Sequence, residues 1–177
     1  MKNLYVEWWN SKIQPDDSTK YDFFYKYKKN YIFEKYLDKI PRHIRLYVTR
    51  LRTSSHNLPV EVMRYTKPKP IREDRKCKIC NLDKVGDEAH YLLHCTNASL
   101  VEIRNEFLVT IRSNLVQLES FSNENIIDYG MIMNDSLLQE PMALFVKQIL
   151  CKFKEETLEN KSKMPIFTRS GRKVKTQ

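Results

Sequence analysis

Cys77, Cys80, His90 and Cys95 fall within nineteen residues, spaced C-x2-C-x9-H-x4-C. Two thiolates two residues apart can grip one face of a zinc ion from a tight knuckle. A His and a Cys about one helical turn further on can close the other face. Zinc takes four soft or borderline ligands in a tetrahedron, and paired spacing is how a short chain supplies them. Lys78, Asn81 and Asp83 surround the first pair with polar side chains, which argues against cysteines gathered merely as buried apolar residues. His94 precedes Cys95, so His90 and His94 also form an i, i+4 pair that could face one ion. Helix neighbours project about 100° apart, so His94 and Cys95 do not serve one ion together. The thiolate is the softer ligand, and Cys77, Cys80, His90 and Cys95 are the set preferred.

Such a site implies one structural Zn2+, because four protein ligands leave no position open to water. Once the metal has taken these residues, no Ser/His/Asp or Cys/His catalytic set is identifiable, and no enzyme activity is expected. A zinc-assisted nuclease would need His43 or His56 to activate water, although His56 is better placed for a local hydrogen bond and His43 for the surface.

The elements around the ligands read as mainly α, a small helical domain around the knuckle with at most a short β element. Residues 1–19 form a leader containing Trp8 and Trp9, which could dock on the body or contact a partner. In 20–76, lysines and aromatics interleave up to Ile40, with Phe24, Tyr27 and Tyr31 on one helical face. Pro41 suits the first turn of a new helix, along which Ile44, Tyr47, Val48 and Leu51 form a stripe. Leu58 to Tyr65 is expected to be extended, Val60 and Val62 favouring a strand. Pro68 and Pro70 break regular structure before the knuckle at 77–95. Asp87 and Glu88 suit the first turn of the helix that carries His90. A helical segment at 96–160 packs on the knuckle. Its first helix runs through Leu100, Ile103, Phe107, Leu108, Ile111 and Leu115. Its last runs from about Leu137 to Leu158, with Leu138, Met142, Phe145, Val146, Ile149, Leu150 and Phe153 inward. Cys151 lies on that inward face as a small core residue. Residues 161–177 lack a core-forming pattern and read as a disordered basic tail.

The net charge of +9 is segregated. Residues 20–76 carry 16 Lys/Arg against 6 Asp/Glu, residues 77–160 carry 7 against 13, and residues 161–177 carry 6 against none. A basic lobe and a basic tail suggest a side that faces a polyanion, RNA or single-stranded DNA. Arg42, Arg45, Arg50 and Arg52 offer planar donors to phosphates from one helix, and Arg169, Arg172, Lys173 and Lys175 from the tail. No run approaches the apolar length of a membrane span, and the first ten residues lack an apolar signal core. A nuclear or cytoplasmic protein is therefore expected, in which cysteines favour metal over disulfides. The string Asp87-Glu88-Ala89-His90 matches a helicase motif. With glycines only at 86, 130 and 171, there is no phosphate-cradling Gly-x4-Gly-Lys loop to accompany it.

The stretch Ser54-Ser55-His56-Asn57-Leu58-Pro59-Val60-Glu61, then Met63-Arg64-Tyr65, Arg72, Arg75 and the Cys77/Cys80 pair, resembles a specific family. So does Gly86-Asp87-Glu88-Ala89-His90-Tyr91-Leu92-Leu93-His94-Cys95, followed by Arg104. Together they are similar to the zinc-binding module that follows the reverse transcriptase domain in non-LTR retrotransposon polyproteins. The family pattern pairs the knuckle with an acidic-His-aromatic-Leu-Leu-x-Cys helix, which supports Cys95 over His94. A polymerase palm needs more chain upstream of Cys77 and a Tyr/Phe-x-Asp-Asp turn, and the chain has neither. Asp16-Asp17 after Pro15 reads as a polar linker. The resemblance therefore implies a zinc module detached from any polymerase, either a mobile-element remnant or a host protein derived from one.

Overall fold

A computed structural model describes residues 2–12, 28, 33–114 and 138–162. Helix α1, Lys2–Lys12, carries Tyr5 and Trp8 as an exposed ring pair with centroids 5.4 Å apart, while Trp9 is half-buried. A single turn, α2 (Tyr36–Lys39), leads into α3 (Arg42–Arg52). Pro41 starts α3 as its sequence position predicts, its carbonyl accepting from the Ile44 and Arg45 amides at 2.9 and 3.0 Å. Ile44, Val48 and Leu51 are buried, with Tyr47 half-buried beside them.

The segment 58–65 departs from its expected extended form. Pro59–Val62 is one α-turn, α4, and Met63–Tyr65 continues as a 3-10 turn. Pro59 sets the helical φ at the first position, and the Glu61 and Val62 amides both bond the Leu58 carbonyl, at 3.0 and 3.1 Å. The strand preference of Val60 and Val62 acts only where a partner strand packs against it. The sole pairing among the described residues is an isolated antiparallel bridge, Lys76 to Val85, inside the knuckle.

Helices α5 (Ala98–Asn114) and α6 (Gln139–Ser162) complete the body, with α6 packed against both α3 and α5. Met142, Phe145, Val146, Ile149 and Phe153 are buried along α6, and Leu150 is half-buried. Phe107 of α5 stacks almost parallel on Phe145 with ring centroids 4.1 Å apart. Burying such a side chain contributes on the order of 2–3 kcal/mol. The result is mainly α with at most a short β element, and residues 90–94 of the knuckle pack on α5 and α6. Phe24, Tyr27, Tyr31, Leu115 and the tail cations Arg169, Arg172, Lys173 and Lys175 lie outside the described residues.

Candidate metal centre

The first two ligands stand on a short hairpin. The Cys77 amide donates to the Lys84 carbonyl at 2.8 Å, and the Gly86 amide to the Arg75 carbonyl at 2.8 Å. Between them the chain reverses through Asp83 at φ 50°, a left-handed conformation that Asp tolerates better than most residues. Gly86 is needed for proximity: a Cβ there would lie 2.8 Å from Pro59 Cγ and 3.2 Å from Cys77 Cα. The Gly86 carbonyl also receives the Val60 amide at 3.2 Å, which ties α4 to the hairpin.

The other two ligands flank a π-turn, His90–His94. Asp87 starts the winding, its Oδ1 accepting from the His90 amide at 2.9 Å while Oδ2 accepts from Arg72 at 2.9 Å. The turn closes with the Cys95 amide on the His90 carbonyl at 2.7 Å, an i→i+5 bond. Five residues of α-helix would leave positions 90 and 95 roughly 140° apart. Winding with one extra residue per turn brings them back towards one face. His94 is exposed, and Cys95 rather than His94 joins the cluster with Cys77, Cys80 and His90.

Cys77, Cys80, His90 and Cys95 offer ligand atoms that all lie within 4.8 Å of one another. Cys77 Sγ and Cys95 Sγ are 3.9 Å apart, and Cys80 Sγ and His90 Nε2 3.4 Å. A tetrahedron with Zn–S near 2.3 Å and Zn–N near 2.05 Å has edges of roughly 3.8 and 3.6 Å. The cage fits zinc. His90 and Cys95 are buried, and Cys77 and Cys80 half-buried. The hydrogen bond from Cys95 pulls the Cys77 thiol down to about 3, against the burial that opposes its ionisation. Cys95 is pushed up in return, because it keeps the proton the two sulfurs share and is itself buried.

Residues around the cage anchor it to the helices. Tyr91 is fully buried, accepts from the Lys78 amide at 3.4 Å and meets Phe153 edge-on with centroids 4.7 Å apart. Burial first, then its hydrogen bond to the Cys77 sulfur, pushes the phenol above its ordinary value. Asn97 caps α5 through the Leu100 amide at 3.3 Å, and its own amide donates to the Ile79 carbonyl at 3.4 Å. Arg104 of α5 donates to the carbonyls of Leu92 and Cys95, both at 3.0 Å. Arg75 holds the hairpin's other side through the carbonyls of Val60, at 2.9 Å, and Pro70. An Asn just before an apolar helical stripe is a readable cap signal; its second bond to the knuckle is not. Pairing of Arg104 and Arg75 with carbonyls likewise leaves no trace in spacing.

His56 is engaged as its position suggests. Its Nδ1 accepts from the Leu58 amide at 3.3 Å, so Nε2 carries the proton and donates to Glu88 at 2.8 Å. Glu88 also accepts from Ser54, which sits at φ 47°. Burial opposes ionisation of Glu88, but the His56 and Ser54 hydrogen bonds more than offset it and hold the carboxyl below its usual value. With both ring nitrogens occupied, His56 has none left to activate water. His43 is exposed on α3.

The four α3 arginines do not form one cationic face. Arg42 and Arg50 are exposed and Arg45 is half-buried. Arg52 is buried, bonds both carboxylate oxygens of Glu34 at 3.1 Å and lies over the Tyr36 ring. Its placement among phosphate donors is therefore corrected: residue 52 follows the buried Val48 by four positions, about one helical turn, and so turns inward with it. Comparison of the chain with protein-family models, curated proteins and solved structures finds no match.

Proposed function

We propose that this chain is a retroelement-derived zinc module that binds single-stranded nucleic acid without catalysis. The observation that carries the reading is the cage of three cysteines and one histidine, closed on all four corners by protein. Zinc bound there would fix the hairpin to α5 and α6, as a structural rather than a water-activating ion. The cationic surface supports the second half of the reading. Among the described residues Lys35, Lys39, Arg42, Arg50, Lys67 and Lys69 are exposed and form no ion pair with an acidic side chain.

Phosphate neutralisation releases counterions, so affinity of the zinc-loaded chain for a labelled RNA or DNA strand should fall steeply with salt, with a log–log slope of about −0.7 per contact. Arg42→Gln with Arg45→Gln should flatten that slope and weaken all sequences alike, because phosphate contacts carry little sequence information. Removing residues 163–177 should do the same. If the zinc-loaded chain binds no strand even at low salt, an interaction module without nucleic-acid affinity becomes the better account.

A further inference from the structure

Between α3 and α6 lies a groove of about 550 Å³, which the loop Ser55–Asn57 also lines. One wall is Tyr47 and Arg50; the other is Leu150, Phe153, Lys154 and Leu158. We propose that this groove holds one nucleotide of a bound single strand, its base against Tyr47 and its phosphate between Arg50 and Lys154. The proposal rests on the nucleic-acid reading above and gives it a specific seat.

Three features converge on that occupant. The volume falls within the roughly 300–1,000 Å³ of small-molecule sites. The walls are mixed, with aromatic and aliphatic surface beside two exposed cations, neither of which has an ion-pair partner among the described residues. A bare anion would use only the cations and an apolar ligand only the rings, whereas a nucleotide uses both. Glu155 also lines the groove, with Lys152 3.4 Å from its exposed carboxylate, and the two cations Arg50 and Lys154 leave the lining net positive. The Tyr47 hydroxyl accepts from the Cys151 thiol at 3.5 Å, which tethers the ring to α6. Asn57 adds an exposed amide able to meet a base edge. A strand is favoured over a free nucleotide because a further exposed cation, Arg42, stands eight residues, about 12 Å, along α3 from Arg50, where a neighbouring phosphate could meet it.

Cys151 lines the groove and serves as a reporter. The zinc-loaded full chain would be alkylated with a maleimide in the presence and absence of an RNA or DNA strand, and Cys151 modification read by peptide mass spectrometry. At about ten times Kd the strand should slow that modification about tenfold. Arg50→Gln with Lys154→Gln, both at exposed positions, should reduce the magnitude of the salt slope by about 1.4, for two contacts. Tyr47→Leu should weaken binding by about 5- to 150-fold with the slope unchanged. A strand that binds without protecting Cys151, and with an unaltered slope in the double variant, overturns the groove and leaves the nucleic-acid reading standing. Equal protection by the same concentration of a nucleoside monophosphate overturns the assignment to a strand. Absence of any binding by the wild type overturns the nucleic-acid reading itself, and the groove with it.

Discussion

Metal analysis of the purified chain is expected to return one zinc per molecule, and the ligand substitutions test which atoms hold it. Cys77→Ser, Cys80→Ser and His90→Ala should each lose tight binding, because each removes one corner of the cage. His94→Ala and Cys151→Ser should keep full zinc content, since one side chain is exposed and the other contacts Tyr47 across the groove. Retention in Cys95→Ser with loss in His94→Ala would reverse the ligand set. Gly86 offers a test without touching a ligand. Gly86→Ala drives a methyl into the Pro59 ring and the Cys77 backbone, neither of which is the free end of a flexible side chain. Overpacking of this kind should cost about 1–3 kcal/mol, read from denaturant unfolding of the zinc-loaded protein.

At the scale of elements, the Arg104 guanidinium ties the π-turn to α5. Arg104→Met keeps the aliphatic stem but removes the donors to Leu92 and Cys95. Charged hydrogen bonds of this kind contribute about 1.5–3 kcal/mol, and loss of such support around a metal site costs roughly 10–100-fold in affinity. A zinc competition titration that left affinity unchanged would refute the role given to Arg104. Helix α4 carries a different test. Glu61 is buried, and burial pushes its carboxyl above the ordinary glutamate value, with Arg64 opposing only part of the shift. The folded state therefore holds that proton more tightly than the unfolded chain. Glu61's contribution to stability is fullest below the ordinary glutamate value and declines as pH rises through the folded value. Glu61→Gln should accordingly gain on the wild type as pH rises through that window, in unfolding measured side by side. A stability difference that does not change with pH would exclude this effect.

Across the whole molecule, the cage stands where the hairpin, the π-turn, α5 and α6 meet. Structural zinc contributes about 10–16 kcal/mol to folding in small zinc-dependent peptides, more than most domains have in reserve. A strong chelator should therefore loosen the packing of the knuckle on the helices, lowering the thermal midpoint and the protection of backbone amides from exchange in 77–104. Protection in α3 should fall less, because Ile44, Val48 and Leu51 bury against the α6 side of the core. Unchanged stability after complete metal removal would contradict a structural role.

Much of this was legible in the linear chain because it depends on local periodicity and on ligand chemistry. C-x2-C followed by His90 and Cys95 marks by residue type and spacing the same four residues that the fold gathers into a cluster able to hold a metal ion, and the stripes of α3, α5 and α6 follow from helical repeat. Three matters were left to tertiary structure. The π-turn brings His90 and Cys95 together through an i→i+5 bond that helical periodicity does not anticipate. The segment 58–65 became helical because strand propensity is realised only against a partner, and no strand stands beside it among the described residues. Arg52 left the cationic face because Glu34, eighteen residues earlier, meets it in the fold. Ligand type and periodicity are carried by neighbours in sequence. Whether an arginine faces solvent or a carboxylate is decided by which distant groups the packing brings within hydrogen-bond reach.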